Sequence, residues 1–256
     1  MTPELTPEQR KAVYEEEKRR LDAELPPRRL PMRLASIILF AVALLGIGIW
    51  VASNVYRAHA LNEKLAEAIG KDRGLTETIL KIETESSKMT YEELFELCNK
   101  SVESRTNLIV ELRGVYPQVD SRLKEHLIEY LTAENEFIRA KRDFYLRSME
   151  EPSAFNAYLE AVMNSASSSY GWEVYLREKS DQRERVLKAS EETTRSADDF
   201  LKAYENMAKQ EAKIGGEAAG AGLNFTPIFN QYAKENRKRA EDAKTASSQY
   251  TAAVMR

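Results

Sequence analysis

The chain has little of several residues that define common protein classes. Its 256 residues include one cysteine, two histidines, ten glycines and eight prolines. A single cysteine cannot form an intramolecular disulfide, and so little glycine excludes a collagen-like repeat. Leucine, isoleucine, valine and phenylalanine are plentiful, which excludes a low-complexity chain. The net charge of −3 argues against a nucleic-acid-binding protein, because such proteins need a basic face.

One long stretch of the chain has no charge. Residues 34–53, which end shortly before Arg57, are almost wholly apolar from Leu34 at the start to Trp50 and Ala52 near the end. About 20 such residues cross a bilayer as a helix. Trp50 lies where aromatic side chains meet the membrane surface. The sequence therefore predicts a transmembrane helix over residues 34–53, with the lipid bilayer as a partner.

The flanking cations predict the orientation of this helix. The twenty residues before it contain six lysines and arginines, whereas the twenty residues from 53 to 72 contain three. Cationic flanks stay in the cytoplasm, so the N-terminus is expected inside and the C-terminal domain outside. The alternative is a cleaved signal peptide, because Ala58 and Ala60 provide a small-x-small site. The acidic leader and the length of the apolar run favour the anchored helix.

The segment before the span predicts one charged helix. Thr6 is a suitable N-cap, Pro7 suits the first helical position and Gln9 completes a capping box. A helix is therefore expected from there to about Leu25, followed by a proline-rich linker. Residues 1–33 form a cytoplasmic segment that is too short for a catalytic or DNA-binding domain.

The part of the chain after the span shows helical periodicity. Residues 54–89 predict a juxtamembrane helical connector, and residues 90–256 predict a four-helix bundle domain. The expected fold class is all-α, with one N-terminal transmembrane helix followed by an antiparallel bundle of four long helices and short extra helices.

Cap signals and apolar spacing predict the first two long helices. The first begins after Thr90, with Glu93 completing a capping box, and ends near Gly114. The second begins after Asp120 and ends at Pro152, because proline breaks helix hydrogen bonding. Shorter helical pieces are expected over residues 61–69, 75–85 and 154–163.

The third long helix is predicted from about Ser180. The fourth begins with Thr226 as its cap and Pro227 in its first position. Between them, the glycine-rich residues 215–222 are expected to form a flexible turn. The third helix carries a coiled-coil-like seam. The seam consists of Val186, Ser190, Thr193, Ala197, Phe200, Tyr204, Met207, Glu211 and Ile214.

Motifs for metal, thiol and nucleotide chemistry are missing. Neither His59 nor His126 follows a glutamate three residues earlier, so the di-iron bundle pattern is absent. The HExxH, CxxC, GxSxG and P-loop patterns are absent as well. Cys98 lies in an apolar stripe, where an inert buried thiol is the common case. We therefore expect no enzyme and no cofactor.

Charged and polar residues interrupt the apolar stripes. They are Arg105 in the first long helix, Glu134 and Lys141 in the second, Glu211 in the third and Asn236 in the fourth. Arg105 and Glu134 can form a buried pair that sets helix register, or can line a small polar ligand pocket together with Lys141. The cost of an unpaired buried charge favours the pair.

Two stretches resemble a known family. Residues 95–112, FELCNKSVESRTNLIVEL, resemble the conserved helix of the LemA family, and residues 134–145, ENEFIRAKRDFY, are similar to a later segment of that family. The matching residues are Phe95, Asn99, Arg105, Asn107, Leu108, Ile109 and Leu112 in the first stretch, and Glu134, Asn135, Ile138, Lys141 or Arg142, and Tyr145 in the second. The resemblance implies an envelope-associated protein with an N-terminal membrane span and an antiparallel four-helix bundle.

These features predict a non-enzymatic, single-pass membrane-anchored helical bundle of the bacterial envelope. Its partner is expected to be another envelope protein or a second copy, bound through the helical seams, and no nucleic acid is expected. The alternative is an extracytoplasmic bundle that senses a ligand at Arg105 and Glu134. Such a sensor would have to signal through a partner, because the cytoplasmic segment is short.

Overall fold

The computed structural model describes residues 6–24, 32–85, 88–116, 121–164 and 171–256. These residues form six α-helices and contain no strand, which confirms the all-α class. The helices are α1 (Pro7–Glu24), α2 (Met32–Glu85), α3 (Tyr91–Gly114), α4 (Arg122–Asn164), α5 (Trp172–Gly220) and α6 (Ala233–Met255). A 3-10 turn over Phe229–Tyr232 precedes α6.

The chain divides into two compact units, Met1–Tyr56 and Arg57–Arg256. In the first unit, α1 begins with the capping box that the sequence predicts. The backbone N–H of Thr6 donates to Oε1 of Gln9 at 3.1 Å, and the N–H of Gln9 donates to Oγ1 of Thr6 at 3.5 Å. The described side chains of α1 are all exposed, so this helix packs against no core.

The apolar stretch of α2 is also exposed. Ile37, Phe40 and Leu45 are each 66% exposed and Trp50 is 67% exposed. Among the described residues, one helix, within Ser36–Ile82, is long and apolar enough to cross a membrane, and its apolar window has no buried residue. In length and in composition, this helix is therefore sufficient to cross a bilayer.

The second unit has a core to which five helices contribute. Leu65, Ile79 and Ile82 of α2 are fully buried there. The centre of the core is aromatic: the ring of Phe137 lies 5.7 Å from that of Phe200 and 5.6 Å from that of Tyr204. Within this unit, α4 packs against α3 and α5, and α6 packs against α5. The apolar stripes of the helices therefore meet one another rather than solvent.

The predicted end of the second long helix at Pro152 is wrong. α4 continues through Pro152 to Asn164 and includes the piece expected over residues 154–163. A proline in a helix interior costs about 3 kcal/mol. Burial on both sides of it opposes this cost, because Glu151 is 2% exposed and Tyr158 is 7% exposed. Packing therefore outweighs the local signal.

The predicted turn over residues 215–222 is also wrong in its position. α5 runs through most of this segment, because Ile214 and Ala218 are fully buried and hold it as a helix. The helix ends in a Schellman motif, in which the N–H of Leu223 donates to the carbonyl of Ala218 at 2.8 Å. Gly222 supplies the required positive φ of 72°.

The fourth long helix does not begin at Thr226 and Pro227. Residues 223–228 are not helical, and α6 begins at Ala233. The physical reason is a side chain of α5: Oε1 of Glu211 accepts the backbone N–H groups of Ile228 at 2.5 Å and of Phe229 at 3.0 Å. These bonds hold the segment against α5 in a non-helical conformation, so α6 begins only at Ala233.

Two other helix boundaries differ from the prediction. The pieces expected over residues 61–69 and 75–85 belong to the single helix α2, so Gly70 and Gly74 do not interrupt it. α5 begins at Trp172 rather than near Ser180. Glycine costs a helix only about 1 kcal/mol, which the burial of the α2 stripe exceeds.

Candidate functional site

Among the described residues, Arg105 is the largest side chain that is fully buried. It lies on α3, where the capping box at Thr90 and Glu93 is present as predicted. The buried stripe of α3 consists of Leu94, Cys98, Ser101, Arg105, Leu108, Ile109 and Leu112. Apolar spacing thus carries Arg105 into the core, where it is 0% exposed. A charge in that position requires partners.

The partners of Arg105 come from its own helix and from two others. Its Nε atom donates to Oδ1 of Asp72 on α2 and to Oε2 of Glu134 on α4, both at 2.8 Å. Its Nη1 atom donates to Oγ of Ser101 at 2.6 Å, and its Nη2 atom to Oε1 of Glu134 at 3.4 Å. We call Asp72, Ser101, Arg105 and Glu134 the Arg105 cluster. It joins α2, α3 and α4 at one point.

The Arg105 cluster contains one guanidinium and two carboxyl groups. Burial and the neighbouring Asp72 raise the pKa of Glu134 well above its ordinary value, although Arg105 opposes them. Burial lowers the pKa of Arg105, but Glu134 and Asp72 outweigh it and raise the pKa. Tyr130 lies beside the cluster, and burial raises its pKa too, followed by the charge of Glu134. Glu134 therefore holds its proton more tightly than a solvent-exposed glutamate does.

Sequence reasoning selected Arg105 and Glu134 but missed Asp72. The signal was present, because Asp72 interrupts an apolar stripe of α2 in the same way that Arg105 interrupts the stripe of α3. The stripe of α2 consists of Leu61, Leu65, Ala68, Asp72, Thr76 and Ile79. Treating residues 61–69 and 75–85 as separate helices hid this continuity.

Each side-chain nitrogen of Arg105 has an acceptor within the cluster. Glu134 likewise uses both carboxylate oxygens. A ligand pocket normally presents polar groups whose bonding capacity is not already used. The geometry therefore favours a structural role for this pair, in which it fixes the mutual register of three helices.

Lys141, the third residue that the sequence singles out, has different surroundings. It is 1% exposed, and its Nζ atom lies 5.3 Å from the ring centre of Phe137 and 5.6 Å from that of Tyr145. Burial lowers the pKa of Lys141 well below its ordinary value, and Arg239 lowers it further while Glu235 raises it. Its electrostatic neighbours thus lie on α6, whereas those of Arg105 lie on α2 and α4.

The remaining polar residues of the stripes have packing roles. Cys98 is 1% exposed, and burial raises the pKa of its thiol to about 12, which leaves it unreactive. His126 contacts Glu217 of α5 through Nδ1. Glu211 caps the segment before α6, and Asn236 is fully buried on α6.

The residues chosen for the membrane span all lie on α2. Leu34 is in the first turn of this helix, and Trp50 and Ala52 are exposed further along it. The described part of the chain contains no group of three histidine, cysteine, aspartate or glutamate side chains that could hold a metal ion.

Comparison with family models, with curated proteins and with solved structures finds no match to this chain.

Proposed function

We propose that this chain is a non-enzymatic, single-pass membrane-anchored helical bundle of the bacterial envelope, which acts by binding another envelope protein or a second copy of itself. The observation that carries the proposal is the exposed apolar stretch of α2. Its large side chains, from Ile37 to Trp50, are exposed on every side of the helix. Water is a poor solvent for such a surface, whereas lipid is a good one.

The span in this proposal covers residues 34–53, with the N-terminus in the cytoplasm and residues 54–256 outside. The six cations before the span and the three after it support that orientation. The exposed, highly charged α1 is consistent with a segment beside the membrane surface.

The proposed fold of the outer domain is an antiparallel bundle. Contacts between successive helices support it, because residue numbers rise along one helix as they fall along its neighbour. Between α4 and α5, Glu129 meets Lys213 at 2.8 Å and Arg147 meets Glu192 at 2.9 Å. The other contacts are Asn99–Arg142 and Thr106–Asn135 between α3 and α4, and Asp198–Lys244 and Glu205–Arg237 between α5 and α6.

A LemA-like relationship is part of the proposal. Its two resembling stretches lie on α3 and α4, and the Arg105 cluster joins them through Arg105 and Glu134. Asn135 of the second stretch also donates to Thr106 of the first at 3.3 Å. Contact between the two stretches supports their comparison as one unit of that family.

The surface for a partner must differ from the seam of α5. All nine seam residues are buried within this chain, so the seam does not supply a free face. α3 offers another surface, a groove of about 770 Å³ lined by Tyr91, Phe95 and Leu146. Phe95 is 46% exposed, and exposed aromatic residues are frequent anchors of protein interfaces. This groove is the best-supported contact surface.

Photo-crosslinking tests the interaction. A photoreactive phenylalanine analogue replaces Phe95 in the full chain in cells, and the matched control places it at Lys202, whose side chain is 79% exposed. The proposal predicts a discrete adduct with an envelope protein or a second copy from position 95 that the control lacks. Equal or absent adducts at the two positions would contradict it.

The ligand-sensing alternative has less support at the Arg105 cluster. The nitrogens of Arg105 and the oxygens of Glu134 bond within the chain, so a solute would have to displace these bonds. Breaking these bonds would leave buried charged groups without their partners, which is strongly unfavourable.

A further inference from the structure

The groove on α3 has aromatic walls. Its lining includes Tyr91 and Phe95 of α3 and Leu146 of α4. Tyr91 is 37% exposed and Phe95 is 46% exposed, and the two residues lie one turn apart on the same side of the helix. Covering such rings with an apolar side chain of a partner removes them from water, which favours binding.

The ring of Phe95 is held in place by α4. The guanidinium of Arg142 lies 4.9 Å from the centre of this ring. Arg142 donates through Nη1 to Oδ1 of Asn99 at 3.2 Å and through Nε to Oδ1 of Asp143 at 2.8 Å. A ring that is already oriented loses less side-chain freedom when a partner binds, so these contacts prepare Phe95 as an anchor.

Carboxylates accompany the aromatic rings. Glu92, Glu96 and Glu103 line the groove, together with one cation, Lys100. Among the residues that the structure describes, none of the three glutamates forms an ion pair. Arg142, the cation beside the rings, is already paired with Asp143. The groove therefore carries an excess of negative charge, and the complementary partner surface is positive.

The three glutamates also share a helical repeat. Glu96 follows Glu92 by four residues and Glu103 follows Glu96 by seven, so all three lie in one stripe of α3 that is about 17 Å long. A second helix that lies along this stripe can present cations at the same repeat. Binding of an amphipathic helix in a groove is a common form of peptide recognition.

We propose that this groove binds a cationic amphipathic helix of a partner protein. An apolar side chain of that helix packs against the aromatic rings, and its lysine or arginine side chains pair with the three glutamates. The inference rests on the proposed function, because it names the chemistry of the partner that this groove contacts.

The test is titration of the full chain, in nanodiscs of zwitterionic lipid, with a fluorescent probe peptide. The peptide is an alanine-based helix whose lysines have the same spacing as the glutamates and whose single tryptophan lies beside them. A matched peptide carries glutamate in place of lysine. The proposal predicts saturable binding of the lysine peptide that empty nanodiscs lack and that weakens as the salt concentration rises. No saturable binding, equal binding of the glutamate peptide, or binding that salt leaves unchanged would overturn it.

Charge substitutions locate the binding. The groove variant carries Glu92→Gln, Glu96→Gln and Glu103→Gln. The control variant carries Glu173→Gln, Glu178→Gln and Glu184→Gln, which alter exposed residues of α5 outside the groove. The groove variant should bind the lysine peptide about threefold or more weakly, whereas the control should bind it as the wild type does. Equal affinity of the two variants would overturn the proposal.

A second pair of variants tests the anchor. Phe95→Ala should weaken binding of the lysine peptide about tenfold. Val110→Ala is the control, since Val110 is 61% exposed on α3 but does not line the groove, and it should leave the affinity unchanged. Unchanged binding by Phe95→Ala would overturn the proposal.

Photo-crosslinking at position 95 separates this inference from the proposed function. Adducts without binding of the lysine peptide would support the proposed function and reject the cationic helix. Peptide binding without adducts would support the cationic helix and contradict the proposed function. Self-association of the chain that Phe95→Ala abolishes, without peptide binding, would assign the groove to a second copy and overturn the proposal.

Discussion

Two stretches of α2 differ in their surroundings although both are helical. From Ile37 to Val51 the large apolar side chains are exposed on all sides, whereas from residue 61 to residue 82 only one stripe is apolar and that stripe is buried. A helix that is apolar all round needs lipid or a complete protein shell, and a helix with one apolar stripe needs protein on one side. The distribution of apolar residues around the helix, and not helix propensity, therefore decides what each stretch packs against.

The buried stripe of this second stretch carries one charged residue, Asp72, and its burial in the core depends on Arg105. Substitution Arg105→Leu leaves Asp72 and Glu134 as buried carboxyl groups without their cation. We expect a loss of about 3–5 kcal/mol in the free energy of unfolding of the second unit. Denaturant titration of the full chain in detergent measures it. Arg113→Ala, on the exposed side of α3, is the control and should change little. Equal stability of the two variants would show that the cluster does not hold the helices together.

A matched pair of leucines tests the comparison within α2. Leu65 is fully buried and Leu45 is 66% exposed. Leu65→Ala should lower the free energy of unfolding of the second unit by about 2–5 kcal/mol, because it leaves a cavity in the core. Leu45→Ala should change the same quantity by less than about 0.5 kcal/mol. Similar losses from both variants would show that the two stretches of α2 do not differ in their surroundings.

The proton on the Arg105 cluster gives a prediction about pH. The pKa of Glu134 is raised in the folded chain, chiefly by burial. A raised pKa means that the folded state holds the proton more tightly, so this stabilisation is complete below the unfolded pKa and is lost as pH rises through the folded pKa.

Glu134→Gln removes this titration and keeps a neutral side chain of similar shape. The wild-type chain should therefore lose stability relative to Glu134→Gln as the pH rises, as measured by denaturant titration at several pH values. Glu136→Gln, which alters an exposed residue of α4, should preserve the wild-type pH dependence. A constant difference between wild type and Glu134→Gln across the pH range would refute the assignment.

A pair of glycines gives the smallest expected effects. Gly222 has a φ of 72°, so Gly222→Ala should destabilise the second unit by about 1–2 kcal/mol. Gly216 lies within α5 with open space around its Cα, so Gly216→Ala should stabilise the unit by about 0.5–1 kcal/mol. Thermal unfolding of both variants shows whether each substitution raises or lowers the stability of the unit. The same sign for both would mean that the helix does not end where the Schellman motif places it.

The sequence predicted those features whose cause is periodic burial. All nine residues of the α5 seam are buried, and the apolar stretch of α2 lies where the absence of charge indicated it. Arg105 and Glu134 were also found in this way, because each interrupts an apolar stripe.

Features that depend on contacts between distant segments could not be predicted. Pro152 stays within a helix because the residues around it are packed, and the start of α6 is set by Glu211, which lies far from it in the chain. The helix preferences of proline and of capping residues depend only on neighbouring residues in the sequence, so they do not take such contacts into account. Asp72 was missed for a different reason: it interrupts an apolar stripe that runs through α2, and the prediction of separate helices over residues 61–69 and 75–85 hid that stripe.

The most direct test places a single cysteine in the second unit and determines which side of the membrane it occupies. In a Cys98→Ser, Ser248→Cys chain, the new thiol lies at an exposed position of α6. We expect a membrane-impermeant thiol reagent to label the full-length chain in intact cells. Labelling only after the cells are permeabilised, or labelling of a band shorter by about 60 residues, would contradict the anchored, outward-facing bundle.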